Sequence, residues 1–456
     1  MFLNMICHTL VRENELKNTS LDKYGRKRRD IILFGIKRMM SVGIMLQCCL
    51  TLFCCADAEE RSFVRYADQN GISYFVEDNK YGLVSGNDEI LFPPVFDKVW
   101  PFEGDYAVVE SGAVRGCIDC YGNMIVYPDW SNIAIYDHFI IGSNQDCLSA
   151  IFDLNGRLLS SGTFYHAKES GGRLIAYDSI DTKGTSYVFN LAFELCFSFE
   201  GYISGFSEGY AGLETEDSIY YIDADGNIAF QKQGVMNPIA YNFRDGIAIY
   251  QYDHNAGLCS VNERHTHYCC MDSSLNVLYE TITAKDIYNA GNGLIVYTSK
   301  EDKQGIINAA GQTMIQPVWD FLYYEGADRV IGRANGKAYL LDLNGNAFLG
   351  PYDDIYWYNL QRSWVCEDGI LYLVDQAANC VNPNQWKSVC VIDEGRAFAK
   401  DMDDIWKLVD DNGNILKDLG YRSILIEENY YLSCTYEGCW YYIDKNGDPI
   451  CAYEFY

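Results

Sequence analysis

His265, His267, Cys269 and Cys270 fall within the six residues His-Thr-His-Tyr-Cys-Cys. Imidazole nitrogen and thiolate sulfur together form a donor set that suits zinc. These residues alternate along what reads as a strand, however, and no second ligand pair follows at zinc-site spacing. The sequence therefore assigns no metal, and a surface loop running into a strand accounts for the cluster. Cys117 and Cys120 have Cys-x-x-Cys spacing, yet on a strand they point to opposite faces. Asp-x-Asn-Gly segments invite a calcium reading but lack the remaining oxygen ligands and terminal Glu of a calcium loop. Neither a Gly-x-Ser-x-Gly, nor a His-Glu-x-x-His, nor a phosphate-cradling glycine loop is present, so no catalytic, cofactor or metal residue is assigned.

Two kinds of residue remain with something to offer. Beyond residue 58 the chain carries 58 acidic side chains, enough to bring carboxylate pairs together by chance, as glycoside hydrolysis would need. Aromatic residues make up 15% of the chain, with 37 Tyr. On strands they either stack on a partner such as a sugar ring or fill the layers between repeats, and sequence does not separate these uses. Tyr220, Trp440 and Tyr441 are the candidate partner-binding aromatics.

The elements that would position such residues follow one period. Aligned on a turn of the type Asp153-Leu-Asn-Gly156, copies start at residues 80, 114, 148, 185, 218, 267, 303, 337, 370, 405 and 439. The steps are 34, 34, 37, 33, 49, 36, 34, 33, 35 and 34 residues, giving eleven units with one oversized step. Each unit opens on a short strand rich in aromatic or β-branched residues, such as Ile219 to Asp223. A turn follows with Asp at offset five in eight copies and Gly at offset eight in seven. The carboxylate caps the turn, and glycine supplies the positive φ that closes the hairpin. A second strand then ends at Pro in the copies with Pro94, Pro128, Pro317 and Pro351, and a third strand follows a loop, as in Asp105 to Ser111. No helical periodicity appears between residues 62 and 456.

Lys80 to Val109, KYGLVSGNDEILFPPVFDKVWPFEGDYAVV, resembles the WG-containing (KWG) repeat, and the likeness extends from about Gly71 to the C-terminus. The namesake glycine stands only as Gly82, Gly116 and Gly305; Tyr187, Tyr220, Tyr339, Tyr372 and Tyr441 hold that place elsewhere, and no Trp precedes any of the three glycines. The resemblance implies a β-repeat fold and little about activity. Ser218 to Phe230 and Cys439 to Ile450 are also locally similar to choline- and glucan-type cell-wall-binding repeats.

The expected fold is all-β: tandem units of a hairpin plus a third strand, forming an open, elongated or superhelical array. Three strands in 34 residues are fewer than a four-stranded blade uses, which makes a closed propeller-like ring the alternative. Residues 1–58 read as an N-terminal extension with an export signal, 59–79 as a lead-in strand, and 80–456 as the array, with an insertion near 253–266.

The export reading rests on order. Basic residues at Lys23 to Asp30 precede an uncharged run from Met39 to Ala56, and Ala56 to Ala58 offers a small-residue cleavage triplet. An uncleaved anchor over 39–56 is the alternative, the only membrane attachment expected. After residue 58 the chain has 26 basic against 58 acidic side chains. That body repels nucleic acid and anionic lipid. Thirteen cysteines remain there, an odd and scattered set unlike a disulfide scaffold. The functional expectation is a non-catalytic, extracellular or surface-attached monomer that presents an extended face to a protein or cell-surface glycan. The alternatives are a polysaccharide-binding module or a carbohydrate-active enzyme using Asp/Glu pairs.

Overall fold

The computed structural model describes residues 64–65, 71–179, 184–253, 266–426, 431–435, 438 and 440–453. The N-terminal extension, where an export signal or anchor is expected, the C-terminal three residues and most of the 253–266 insertion lie outside the described residues.

Eleven antiparallel meanders follow one another along the chain, spanning 64–96, 98–130, 132–164, 166–200, 202–233, 236–281, 286–319, 321–352, 354–375, 388–418 and 423–453, here called blades 1 to 11. Ten have four strands. Blade 9 has three, and isolated bridges from Val374 to Cys380 and Leu371 to Trp386 stand where its fourth would pair. Three strands per unit is thus corrected to four. The extra strand hides in the loop after the Pro-bearing strand and is as short as Lys98–Val99 or Tyr202–Ile203, too brief for alternation to register. Ile72–Glu77, within the lead-in, is the second strand of blade 1.

The open array is likewise corrected, and the ring alternative is the arrangement adopted. The last strand, Pro449–Tyr453, packs against Ile72–Glu77 of blade 1 and Lys98–Val99 of blade 2. Cys451 on this strand is fully buried, and its thiol donates to the Val99 carbonyl of blade 2 at 3.8 Å. The reason lies in the middle strands. Leu294–Thr298 reads Leu-Ile-Val-Tyr-Thr with its first three residues buried, so both faces need cover. Neighbouring blades give it: Val296, Ile306, Leu322, Val330 and Leu341 form one layer between blades 7 and 8.

Two recurrent devices set the spacing of blades. At offset eight all eleven units have positive φ, between 61° and 84°, whether the residue is Gly or, in four copies, Asp88, Phe193, Leu275 or Ala378. Phe193 offsets that strain by stacking on Phe189 at 4.6 Å, and Leu275 packs against the layer between blades 5 and 6. The second device is a latch. Lys80 pairs with Asp97, whose other oxygen accepts the Gly112 amide at 2.8 Å, tying blade 1 to the far turn of blade 2. Lys303, Asp320 and the Asn335 amide repeat it, as do Lys337, Asp353 and the Asp368 amide. Lys80 with Asp97, Lys303 with Asp320 and Lys337 with Asp353 are therefore one recurrent interaction. The Lys303 ammonium and then the Asn335 amide hold Asp320 below the usual carboxylate range, and Lys337 with the Asp368 amide does the same to Asp353.

Replacing Ala378 by Gly is expected to raise stability by up to about 1 kcal/mol in denaturant titration, since only the left-handed strain is relieved. Gly345→Ala, whose new Cβ would meet Ile315 no closer than 3.4 Å, should cost about 1–2 kcal/mol for the same reason in reverse. For pH, the depressed Asp320 and Asp353 contribute stability that is present above their unfolded value and lost as pH falls through the folded one. Self-repulsion among the excess carboxylates acts oppositely and is relieved by mild acid. The Tm should therefore rise from pH 7 to about 5 and fall below about 4. The double variant Asp320→Asn, Asp353→Asn should blunt that fall; a Tm still climbing at pH 3 would contradict the account.

Candidate functional site

The residues that drew attention for their chemistry are occupied with structure. His265 lies outside the described residues. His267 stacks on Tyr252 at 4.8 Å, and its Nδ1 is 2.7 Å from Glu280 Oε1. Cys269 and Cys270 are buried, and burial pushes their thiols up to about 11 and about 12, away from the thiolate that metals and electrophiles require. Among the described residues no three His, Cys, Asp or Glu converge as metal ligands. Cys117 is buried and Cys120 half-buried, and both are free thiols. The Asp-x-Asn-Gly carboxylates serve their own turns: Asp223 Oδ1 accepts the amides of Asp225 and Asn227 at 2.9 and 2.8 Å, and Oδ2 accepts the Asn227 side chain at 2.9 Å. Asn190 and Asn308 keep the same backbone bonds with a neutral oxygen, so the position needs an acceptor and not a charge.

Tyr220 belongs to blade 5, and Trp440 and Tyr441 to blade 11, so the fold does not bring the three together. All are half-buried. Tyr220 packs into the layer between blades 4 and 5, and Tyr441 into that between blades 10 and 11. At the namesake position the volumes across the strand pair are complementary in several blades. Gly82 opposes Phe75 and Gly305 opposes Tyr297, although Val stands opposite both Gly116 and Tyr372. Where it is Tyr, the opposing residue is often small, as Gly332 opposite Tyr339, Ala176 opposite Tyr187 and Ser433 opposite Tyr441.

One set of exposed tyrosines recurs instead on the first strands or, in blade 6, immediately after that strand. Tyr288, Tyr323 and Tyr356 oppose Val296, Ile331 and Trp364, which in turn oppose Ile306, Leu340 and Leu373, each at offset three of its unit. Tyr241 donates its amide to Ile249, which opposes Cys270, again at offset three. Four consecutive blades, 6 to 9, thus carry Tyr in one register, exposed by 44%, 39%, 51% and 41%. Blades 3, 4, 5, 10 and 11 have Ala134, Lys168, Ser204, Cys390 and Leu425 there, while blade 2 has a half-buried Trp100. The residue preceding each Tyr (Ala240, Ile287, Leu322, Ile355) is buried, so strand alternation turns the rings outward.

At the blade 6 end of this arc opens a cleft of about 630 Å³, lined by Tyr241, Asn242, Arg244, Asp286, Tyr288 and Asn289, with buried Ile249 and Ile287 beneath. Its walls are tied down. The Tyr288 hydroxyl donates to the Leu322 carbonyl at 2.9 Å, and Asn289 Nδ2 donates to the carbonyls of Arg244 and Ile247 at 2.9 and 3.0 Å. Asp245 accepts the Asn292 amide at 3.0 Å. Burial and then the neighbouring Asp286 raise the Tyr241 phenol above its ordinary value. At the arc's other end Arg333 pairs with Asp354, and burial followed by Asp354 pushes the Tyr356 phenol up to about 12.

Sequence reading missed this arc because the Tyr lies 23, 21, 20 and 19 residues after the start of its unit in blades 6 to 9. Hairpin length varies between, and only strand pairing restores the alignment.

Residues 81–112 match the family described as WG containing repeat. No curated protein matches the chain. Among solved structures, one described as the eukaryotic initiation factor is 11% identical, covering 85% of this chain and 96% of its own, with a TM-score of 0.43. BamB from Moraxella catarrhalis is 12% identical over 59% of this chain and 93% of its own, with a TM-score of 0.31. The computationally designed Ika8 protein is 12% identical over 68% and 93%, with a TM-score of 0.27.

Two substitutions separate packing from display. Tyr221→Ala, which empties a fully buried site between blades 5 and 6, should cost about 3–5 kcal/mol in unfolding titrations. Tyr323→Ala should stay within about 0.5 kcal/mol of the parent, as expected for a side chain whose role is not cohesion.

Proposed function

We propose that this protein is a non-catalytic, exported binding scaffold whose first-strand tyrosine arc on blades 6 to 9 receives an extended macromolecular partner, protein or glycan. The observation that carries the reading is the shared register of Tyr241, Tyr288, Tyr323 and Tyr356. Exposed rings at one position of four successive blades are more than inter-blade packing needs, and a row of large exposed side chains on neighbouring blades marks a place of contact. Tyr suits this use, being large, stiff and polar at one end.

Acidic composition supports a partner that is neutral or basic. Export is supported by the order of basic, apolar and small residues up to Ala58, and it predicts a mature N-terminus near Glu59.

The test is a glycan array and a displayed-peptide library probed with the full chain and with the triple variant Tyr241→Ala, Tyr323→Ala, Tyr356→Ala. The parent should retain at least one class of ligand, and the variant should bind it more than about tenfold more weakly at an unchanged Tm. Equal binding by the variant removes the arc from the function. Release of a cleaved product from any retained ligand would replace the scaffold reading with an enzyme.

A further inference from the structure

We infer that the cleft between blades 6 and 7 is a saccharide subsite that takes one uncharged pyranose unit of a glycan chain, a reading that rests on the arc being the docking surface. Three observations lead there. First, Tyr241 and Tyr288 occupy the same register of adjacent blades and both line the cleft, so two partly exposed rings flank one opening. Tyr288 is held by its hydroxyl on the Leu322 carbonyl, so its face is set in advance and little rotamer freedom is lost on binding. Aromatic faces are matched by the C–H faces of a pyranose.

Second, polar groups with unmet capacity converge between the rings. Asp286 is exposed and accepts no hydrogen bond from a described residue, and its carboxylate offers two acceptor oxygens. Arg244 lines the same cleft with a guanidinium whose nearest carboxylate, that of Asp245, is 3.9 Å away, beyond hydrogen-bond distance. Asn242 adds one donor group and one acceptor. Hydroxyls on neighbouring ring carbons each donate and accept, which is what a carboxylate, an amide and a guanidinium side by side satisfy. The volume lies in the range of small-molecule sites, and few polar groups above an apolar floor is their usual composition.

Third, charge and backbone decide against the rivals. A uronate, sialate or phosphate would enter beside Asp286 and half-buried Glu214 on a body with 58 acids and 26 bases. A peptide adding as a strand would need a regular free edge, yet the first strand of blade 6 holds Pro238 and a register break between Met236 and Ile239. Tyr323 and Tyr356 continue the platform, so units beyond the first lie along blades 8 and 9.

The experiment is isothermal titration of the full chain with cellohexaose, chitohexaose, mannohexaose and hexagalacturonate, repeated for Tyr241→Ala, Asp286→Asn and Tyr356→Ala after confirming an unchanged Tm. At least one uncharged hexasaccharide should bind, with hexagalacturonate about tenfold weaker or worse. Tyr241→Ala and Asp286→Asn should each cost about tenfold, for the cognate trisaccharide as well as the hexasaccharide. Tyr356→Ala should weaken the hexasaccharide and leave the trisaccharide unchanged. Glycan binding that ignores both cleft substitutions yet fails in Tyr356→Ala overturns the subsite and leaves the arc standing, and so does retention of peptides alone through Tyr323 and Tyr356. Equal affinity for hexagalacturonate overturns the selectivity. Binding of nothing overturns subsite and arc together.

Discussion

No blade of this protein can cover its own middle strands. Runs such as Leu294–Val296 or Leu174–Tyr177 are buried on both faces, so each four-stranded meander depends on a neighbour before and another behind. In an open array the first and last blades would each leave one such face to water, and closure removes both losses at once. The contact of the Cys451 thiol with the Val99 carbonyl of blade 2 is the local mark of that joint.

Because the layers between blades supply the cohesion, the remaining positions are free to serve spacing or display. The latch from Lys80 to Asp97 to the Gly112 amide sits on the surface, so its direct contribution is modest, but it fixes where a turn of one blade lies against the next. In blades 7 and 10 a different tie stands at this place: Lys285 and Lys387, each just before a first strand, pair with Asp302 and Asp404 in the turn of their own blade. The offset-eight turn keeps a positive φ through Asp88, Phe193, Leu275 and Ala378, where the side chain no longer favours it.

The aromatic residues divide along the same line. Tyr at the namesake position lies opposite Gly, Ala or Ser in several blades and belongs to packing. Tyr on the first strands of blades 6 to 9 lies beyond the packed layers, with buried aliphatic residues directly before it turning it outward. Composition treats the two sets as one population, and their environments differ by a strand's position within the blade. The oversized step between Ser218 and His267 adds length between the second and third strands of blade 6, the blade where the arc and its cleft begin.

The sequence by itself determined the period, the all-β character, the turn at each hairpin and the pairing of repeat positions, because these depend on residues close along the chain: an Asp or Asn that caps its own turn, a residue held at positive φ, an apolar run of strand length. Even Lys80 and Asp97 are visible as a recurrent pair, though not what they join. Tertiary structure decided the rest. Whether the array closes depends on the sum of many inter-blade angles, which no single unit encodes. The short strand that opens each blade showed no alternation, and that Tyr220 and Tyr441 pack into inter-blade layers came only with their neighbours in place. The tyrosine arc depends on cross-strand register: loops of unequal length scatter four equivalent residues in the chain, and hydrogen bonding between strands sets them back in line.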